Sequence, residues 1–152
     1  MKKLSKIIAT LFYAGFFPYA PGTLGSLLGI SFYYFLFQSV TKSFSPLLNI
    51  GLFVTILALV FSDYYEYSKG EKDPSEIIID EFAAILLFSI FAVPKTFVDY
   101  TIIFILFRFF DVLKPYPIKK VEDLPAGAAV VLDDLMAALY GYIIYFVIKL
   151  VI

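Results

Sequence analysis

The sequence contains no cysteine and no histidine in 152 residues. Without cysteine there is no disulfide framework, thiolate zinc site, iron–sulfur cluster or thiol nucleophile. Without histidine, Ser-His-Asp chemistry, phosphohistidine intermediates and imidazole-ligated metals are excluded as well. Any catalysis falls to Asp, Glu, Lys, Arg, Tyr, Ser and Thr. Charge is also scarce: 12 basic and 13 acidic residues make up 16% of the chain and leave a formal net charge of −1. A basic face able to replace phosphate counterions is therefore not indicated, and nucleic acid is not an expected partner.

What the chain has in excess is apolar surface. Hydrophobic residues are 61% of the sequence, against roughly 45–50% in a soluble domain. A soluble monomer of this composition would expose much of that surface to water. The expectation is a single integral membrane domain over residues 1–152, its partner the lipid bilayer.

The apolar runs predict an all-α, polytopic membrane helical bundle of about four to five spans plus an N-terminal interfacial helix. Met1 to Tyr19 opens with Lys2, Lys3 and Lys6 before an apolar stretch, and no small-x-small cleavage site precedes a plausible mature start. It reads as a helix whose lysines stay among the headgroups. Leu24 to Val40 and Leu47 to Phe61 are the first two spans, followed by a polar surface loop over Ser62 to Glu76. Two shorter runs, Phe82 to Val93 and Phe97 to Phe107, precede the stop at Lys114-Pro115-Tyr116-Pro117. The last span covers about Ala128 to Ile152. Ile79-Asp80-Glu81-Phe82-Ala83-Ala84 resembles Leu132-Asp133-Asp134-Leu135-Met136-Ala137: each is an acidic pair opening an apolar helix with small residues.

With a cytoplasmic N-terminus and five crossings, only Lys42, Lys95 and Lys149 of the basic residues fall outside, as the positive-inside rule requires. The same partition brings Asp80, Glu81, Asp111, Asp133 and Asp134 to one end of the bundle. Carboxylates at the ends of apolar helices are costly unless water, a partner or a cation meets them. Oxygen ligands without His or Cys point to a hard ion, Mg2+ or Mn2+, rather than zinc. Arg108, Asp111 and Lys114 follow at i, i+3 and i+6; a guanidinium and an ammonium beside a metal-binding carboxylate suit a phosphate group. Before the first span, Gly22 and Gly25 permit close backbone approach, while Thr23 and Ser26 offer hydroxyls at a helix N-terminus that favours an anion.

Pro21-Gly22-Thr23-Leu24-Gly25-Ser26-Leu27, Asp73-Pro74-Ser75-Glu76 with Asp80-Glu81-Phe82, Phe107-Arg108-Phe109-Phe110-Asp111 with Lys114-Pro115-Tyr116-Pro117, and Gly127 to Asp134 together resemble the phosphatidylglycerophosphatase A family over nearly the whole chain. Ala84, Ala129, Val131 and Ala138 replace glycines or other residues usual there, changes that touch helix packing rather than charged chemistry. The resemblance implies Mg2+-dependent hydrolysis of a phospholipid substrate, phosphatidylglycerol phosphate, to phosphatidylglycerol and orthophosphate. It also implies a multi-pass protein of the bacterial cytoplasmic membrane with its active site facing the cytoplasm. In that reading Asp80, Glu81, Asp111, Asp133 and Asp134 are the catalytic and metal residues, and Gly22, Thr23, Ser26, Arg108 and Lys114 hold the phosphate. The alternative is a small membrane cation transporter or channel using clustered intramembrane carboxylates, and a non-catalytic membrane scaffold is the third class.

Overall fold

The computed structural model describes residues 2–121 and 128–151. Among them every regular element is helical: α1 (Lys2–Ala9), a single 3-10 turn (Ala14–Phe16), α2 (Pro21–Phe35), α3 (Phe44–Lys69), α4 (Ile79–Ala92), α5 (Phe97–Leu113), the one-turn α6 (Ile118–Val121) and α7 (Ala128–Val151). The chain is an all-α bundle with an apolar exterior, as the composition demands.

The helix boundaries follow from local chemistry. Pro21 begins α2, where its missing N–H costs nothing. A turn of wider helix, Leu36–Val40, prolongs α2 before the chain extends at Thr41. α3 closes on Gly70 at φ 72°, α4 on Val93 before Pro94, and α5 on Lys114 before Pro115. α5 starts from a reciprocal capping box between Thr96 and Asp99.

Two boundaries differ from the sequence expectation. The N-terminal helix stops at Ala9 because Thr10 diverts the backbone. Its hydroxyl donates to the Lys6 carbonyl (2.7 Å) and accepts from the Tyr13 N–H (3.1 Å), and Leu11, Phe12 and Tyr13 all take positive φ. α1 buries Ser5 and Ala9 against α3, while Lys2, Lys3 and Leu4 are exposed. The second correction concerns the expected loop over Ser62 to Glu76: its first half, through Lys69, continues α3. No glycine or proline interrupts that stretch, and Ser62, Tyr65 and Glu66 are buried.

Among the described residues three helices are long and apolar enough to cross a membrane: Pro21–Val40, Phe44–Lys69 and Ala129–Val151. α4 and α5 are shorter, roughly 21 and 26 Å at 1.5 Å per residue, against a hydrocarbon core of about 30 Å. They form a hairpin whose turn reaches the last turn of α7, where Lys149 Nζ meets Asp99 Oδ1 at 3.2 Å.

α4 is the central helix. Ala84, Ile85 and Phe88 pack with Ile103, Phe107 and Ala137; Ile79 and Ala83 pack with Ala58 and Val131; Leu86 and Ile90 pack with Tyr33 and Leu47. α2 lies on it so closely that a side chain at Gly29 would meet the Phe82 carbonyl oxygen and Ile85 Cγ2 at 2.6 Å. Large side chains instead point outward on α3 (Phe53, Ile56), α5 (Ile105, Val112) and α7 (Phe146, Val147), as suits helices facing lipid. Chain order and these contacts place the starts of α2, α4 and α7 and the ends of α3 and α5 at one end of the bundle.

Candidate active site

At that end the two similar hexapeptides meet. Each acidic pair has the same local geometry: Asp80 Oδ1 accepts from the Glu81 N–H (3.0 Å), and Asp133 Oδ1 accepts from the Asp134 N–H (3.0 Å). Asp80 and Glu81 occupy the first turn of α4, where the helix dipole favours negative charge. Carboxylate oxygens of Asp80, Glu81 and Asp134 lie within 4.8 Å of one another. Asp80 and Asp134 are buried, and Glu81 Oε2 is buried with no hydrogen-bond partner among the described residues. An orphaned buried carboxylate oxygen is expensive. Three such side chains converging without a cation would repel one another strongly. The donor set is all oxygen and anionic, and therefore fits a hard divalent ion.

Arg108 frames one side. Its Nη1 lies 2.5 Å from Asp111 Oδ2, 4.0 Å from Glu81 Oε1 and 3.5 Å from Ser26 Oγ. Ser26 in turn donates to the Gly22 carbonyl at 2.9 Å. A Cβ at Gly22 would run into Glu81 Oε1 and approach Arg108 Nη1 to 3.3 Å. The first turn of α2 therefore abuts the carboxylates because it has no side chain there. Thr23 is partly buried in the same turn.

Lys114 frames another side, paired with Asp133 Oδ2. Asp133 thus spends one oxygen on Lys114 and the other on the Asp134 N–H, which fixes the backbone at Asp134. The five carboxylates are therefore not equivalent: Asp80, Glu81 and Asp134 form the cluster, Asp111 joins through Arg108, and Asp133 braces it through Lys114.

Sequence reasoning left Asp73 and Glu66 without roles. Asp73 lies within electrostatic reach of Asp80 and Asp133, and its N–H donates to Glu66 Oε1 at 2.6 Å. The Asp73-Pro74 dipeptide before the acidic pair was the available signal. Nearby, Glu76 Oε1 accepts from Tyr65 Oη (3.0 Å) and Lys69 Nζ (2.5 Å). Burial alone would raise the Glu76 carboxyl, but hydrogen bonds from Lys69, its own backbone and Tyr65 outweigh it and hold the group below its ordinary value.

The acidic cluster does not continue as a path across the bundle. Between it and the far end pack Ala84, Ile85, Phe88, Ile103, Phe107 and Ala137, and among the described residues the buried carboxylates lie at the two ends of the bundle, with none in between.

A family model described as Phosphatidylglycerophosphatase A matches residues 7–149. A Bacteroides thetaiotaomicron protein, provisionally named a phosphatidylinositol-3-phosphatase, is 34% identical, over 98% of this chain and 96% of its own. A Haemophilus influenzae phosphatidylglycerophosphatase A is 33% identical over 98% of this chain and 94% of its own. The corresponding Escherichia coli protein is 27% identical over 93% and 81%. No solved structure matches.

Proposed function

We propose, since the chain belongs to the phosphatidylglycerophosphatase A family, that it hydrolyses phosphatidylglycerol phosphate to phosphatidylglycerol and orthophosphate. The reading includes Mg2+ as cofactor and an active site on the cytoplasmic face of a bacterial membrane. The observation that carries it is the buried Asp80, Glu81 and Asp134 cluster with its orphaned Glu81 oxygen, set against Arg108 and the glycine-bearing first turn of α2.

Asp80, Glu81 and Asp134 would hold the ion, with Asp111 and Asp133 ligating directly or through water. Bound Mg2+ would supply Lewis-acid polarisation of the phosphoryl group and a more acidic water. Arg108 is placed to trade Asp111 for two phosphate oxygens, as its planar fork allows. Lys114 would give a second positive charge, exchanging Asp133 for phosphate. The Gly22 to Ser26 turn, with Thr23, closes the cradle. In the overall reaction water adds to phosphorus, the bond from phosphorus to the glycerol oxygen breaks, and that oxygen takes up a proton. A Glu81 oxygen not engaged by the ion would be available as a base for the water.

The basic residues support the orientation: Lys69, Lys72, Lys114 and Lys119 all belong to the site end. The test is orthophosphate release from phosphatidylglycerol phosphate, phosphatidic acid and phosphatidylinositol 3-phosphate in mixed micelles. The reading expects phosphatidylglycerol phosphate to turn over fastest. Faster turnover of phosphatidylinositol 3-phosphate would move the substrate to the one named for the Bacteroides relative, and no turnover on any of them would remove the phosphatase reading.

A further inference from the structure

The opposite end of the bundle carries a second polar construction that the phosphatase chemistry does not use. Asp99 is buried there, in the first turn of α5. Its Oδ2 accepts from the Lys95 N–H (3.0 Å), the Thr96 N–H (2.9 Å) and the Thr96 hydroxyl (3.0 Å), and its Oδ1 accepts from Lys149 Nζ (3.2 Å). One negative charge is thus matched by Lys149, and the exposed Lys95 ammonium leaves the described residues of the spot net positive.

Beside these groups lies a cavity of about 360 Å³ whose wall includes Lys95, Asp99, Tyr145 and Lys149. Phe91 and Tyr142 also line it, and the same two rings line a neighbouring cavity of about 250 Å³ between α4 and α7. That second cavity is apolar, walled by Leu87, Leu135 and Leu139 among others. From Leu135 to Lys149 the two run along α7 for roughly 21 Å, more than the ~15 Å half-thickness of a hydrocarbon core. Polar at the helix ends and apolar toward mid-bundle, they follow the order of a phospholipid: headgroup outermost, chain within.

We propose that this groove binds an anionic phospholipid of the leaflet opposite the acidic site. The headgroup phosphate sits by Lys95 and Lys149, and one acyl chain passes Phe91 and Tyr142 into the crevice between α4 and α7. A peptide or a free anion would match only one of the two cavities. The lipid is a bound partner of the bundle, separate from whatever the acidic site hydrolyses.

The chain has no tryptophan, so Leu139→Trp, at a half-exposed position lining the apolar crevice, gives a single fluorescent reporter. The full chain in a neutral detergent is titrated with phosphatidylserine brominated on its acyl chains, which is neither the proposed substrate nor its product. Brominated phosphatidylcholine and inorganic phosphate serve as comparisons. The expected result is saturable quenching by phosphatidylserine at several-fold lower mole fraction than by phosphatidylcholine, unaffected by inorganic phosphate. Lys95→Glu should raise the half-quenching mole fraction roughly fivefold or more and Lys95→Gln less, both with orthophosphate release unchanged. Equal quenching by the two lipids, displacement by inorganic phosphate, or indifference to Lys95→Glu overturns the proposal. Loss of the phosphatase reading would appear only in orthophosphate release and would leave the quenching curves intact.

Discussion

Asp111 pairs with Arg108 at 2.5 Å, one helical turn away on the same face of α5. Asp111→Asn keeps the size of the side chain but removes the charge that organises Arg108 against Glu81. The expected outcome is a fall in orthophosphate release of about a hundredfold, the scale of losing one electrostatic catalytic group, in a protein that retains its helicity by circular dichroism. Wild-type turnover would place Asp111 outside the machinery. Lys114 was less legible. The i, i+6 spacing puts it near Arg108 in sequence, but φ 41° at the end of α5 leads it away to Asp133, a partner 19 residues on that only the docking of α7 brings near. The departures from the family pattern, Ala84, Ala129, Val131 and Ala138, are all buried.

At the scale of elements, hydropathy locates the helices well and their ends less well. α3 overruns its apolar stretch by two turns because burial of Tyr65 and Glu66 against the loop that follows outweighs their polarity, a tertiary effect invisible to a window of residues. Those turns carry the clasp on Glu76, which holds the 70–78 segment leading into Asp80. Because the folded Glu76 pKa is depressed, the clasp stabilises fully above the ordinary glutamate value of about 4.3. Its contribution fades as pH falls through the lower folded value. Glu76→Gln should therefore lower thermal stability at pH 7, by about 1 kcal/mol for a partly exposed ion pair, with the difference from wild type closing as the pH falls below about 4. A difference that stays constant down to that pH would assign the loss to packing.

For the whole molecule, the proposed orientation, with the acidic site inside, rests on the positive-inside count and the parity of the helices. The convergence of Asp80, Glu81 and Asp134 at one end is legible in the sequence because its charges cluster at alternate helix ends; the Asp99–Lys149 link at the other end, 50 residues apart, has no sequence signature. Cysteines placed at the exposed positions Glu71 and Lys119, in a chain without native cysteine, should resist an impermeant reagent applied to intact cells, while one at Lys42 should react. Reaction at Glu71 or Lys119 would invert the orientation.

The proposed role of Asp80, Glu81 and Asp134 is to hold a hard cation required for phosphate release from a lipid. Its most direct test is orthophosphate release from phosphatidylglycerol phosphate by chelator-treated protein titrated with Mg2+, alongside Asp134→Asn. No release is expected in chelator and recovery is expected with Mg2+, with Zn2+ a poorer substitute because nitrogen and sulfur ligands are absent. The variant should need at least about tenfold more Mg2+, the scale of effect for disturbing a metal's ligand environment. Full release in excess chelator, or an Asp134→Asn titration superimposable on wild type, would contradict it.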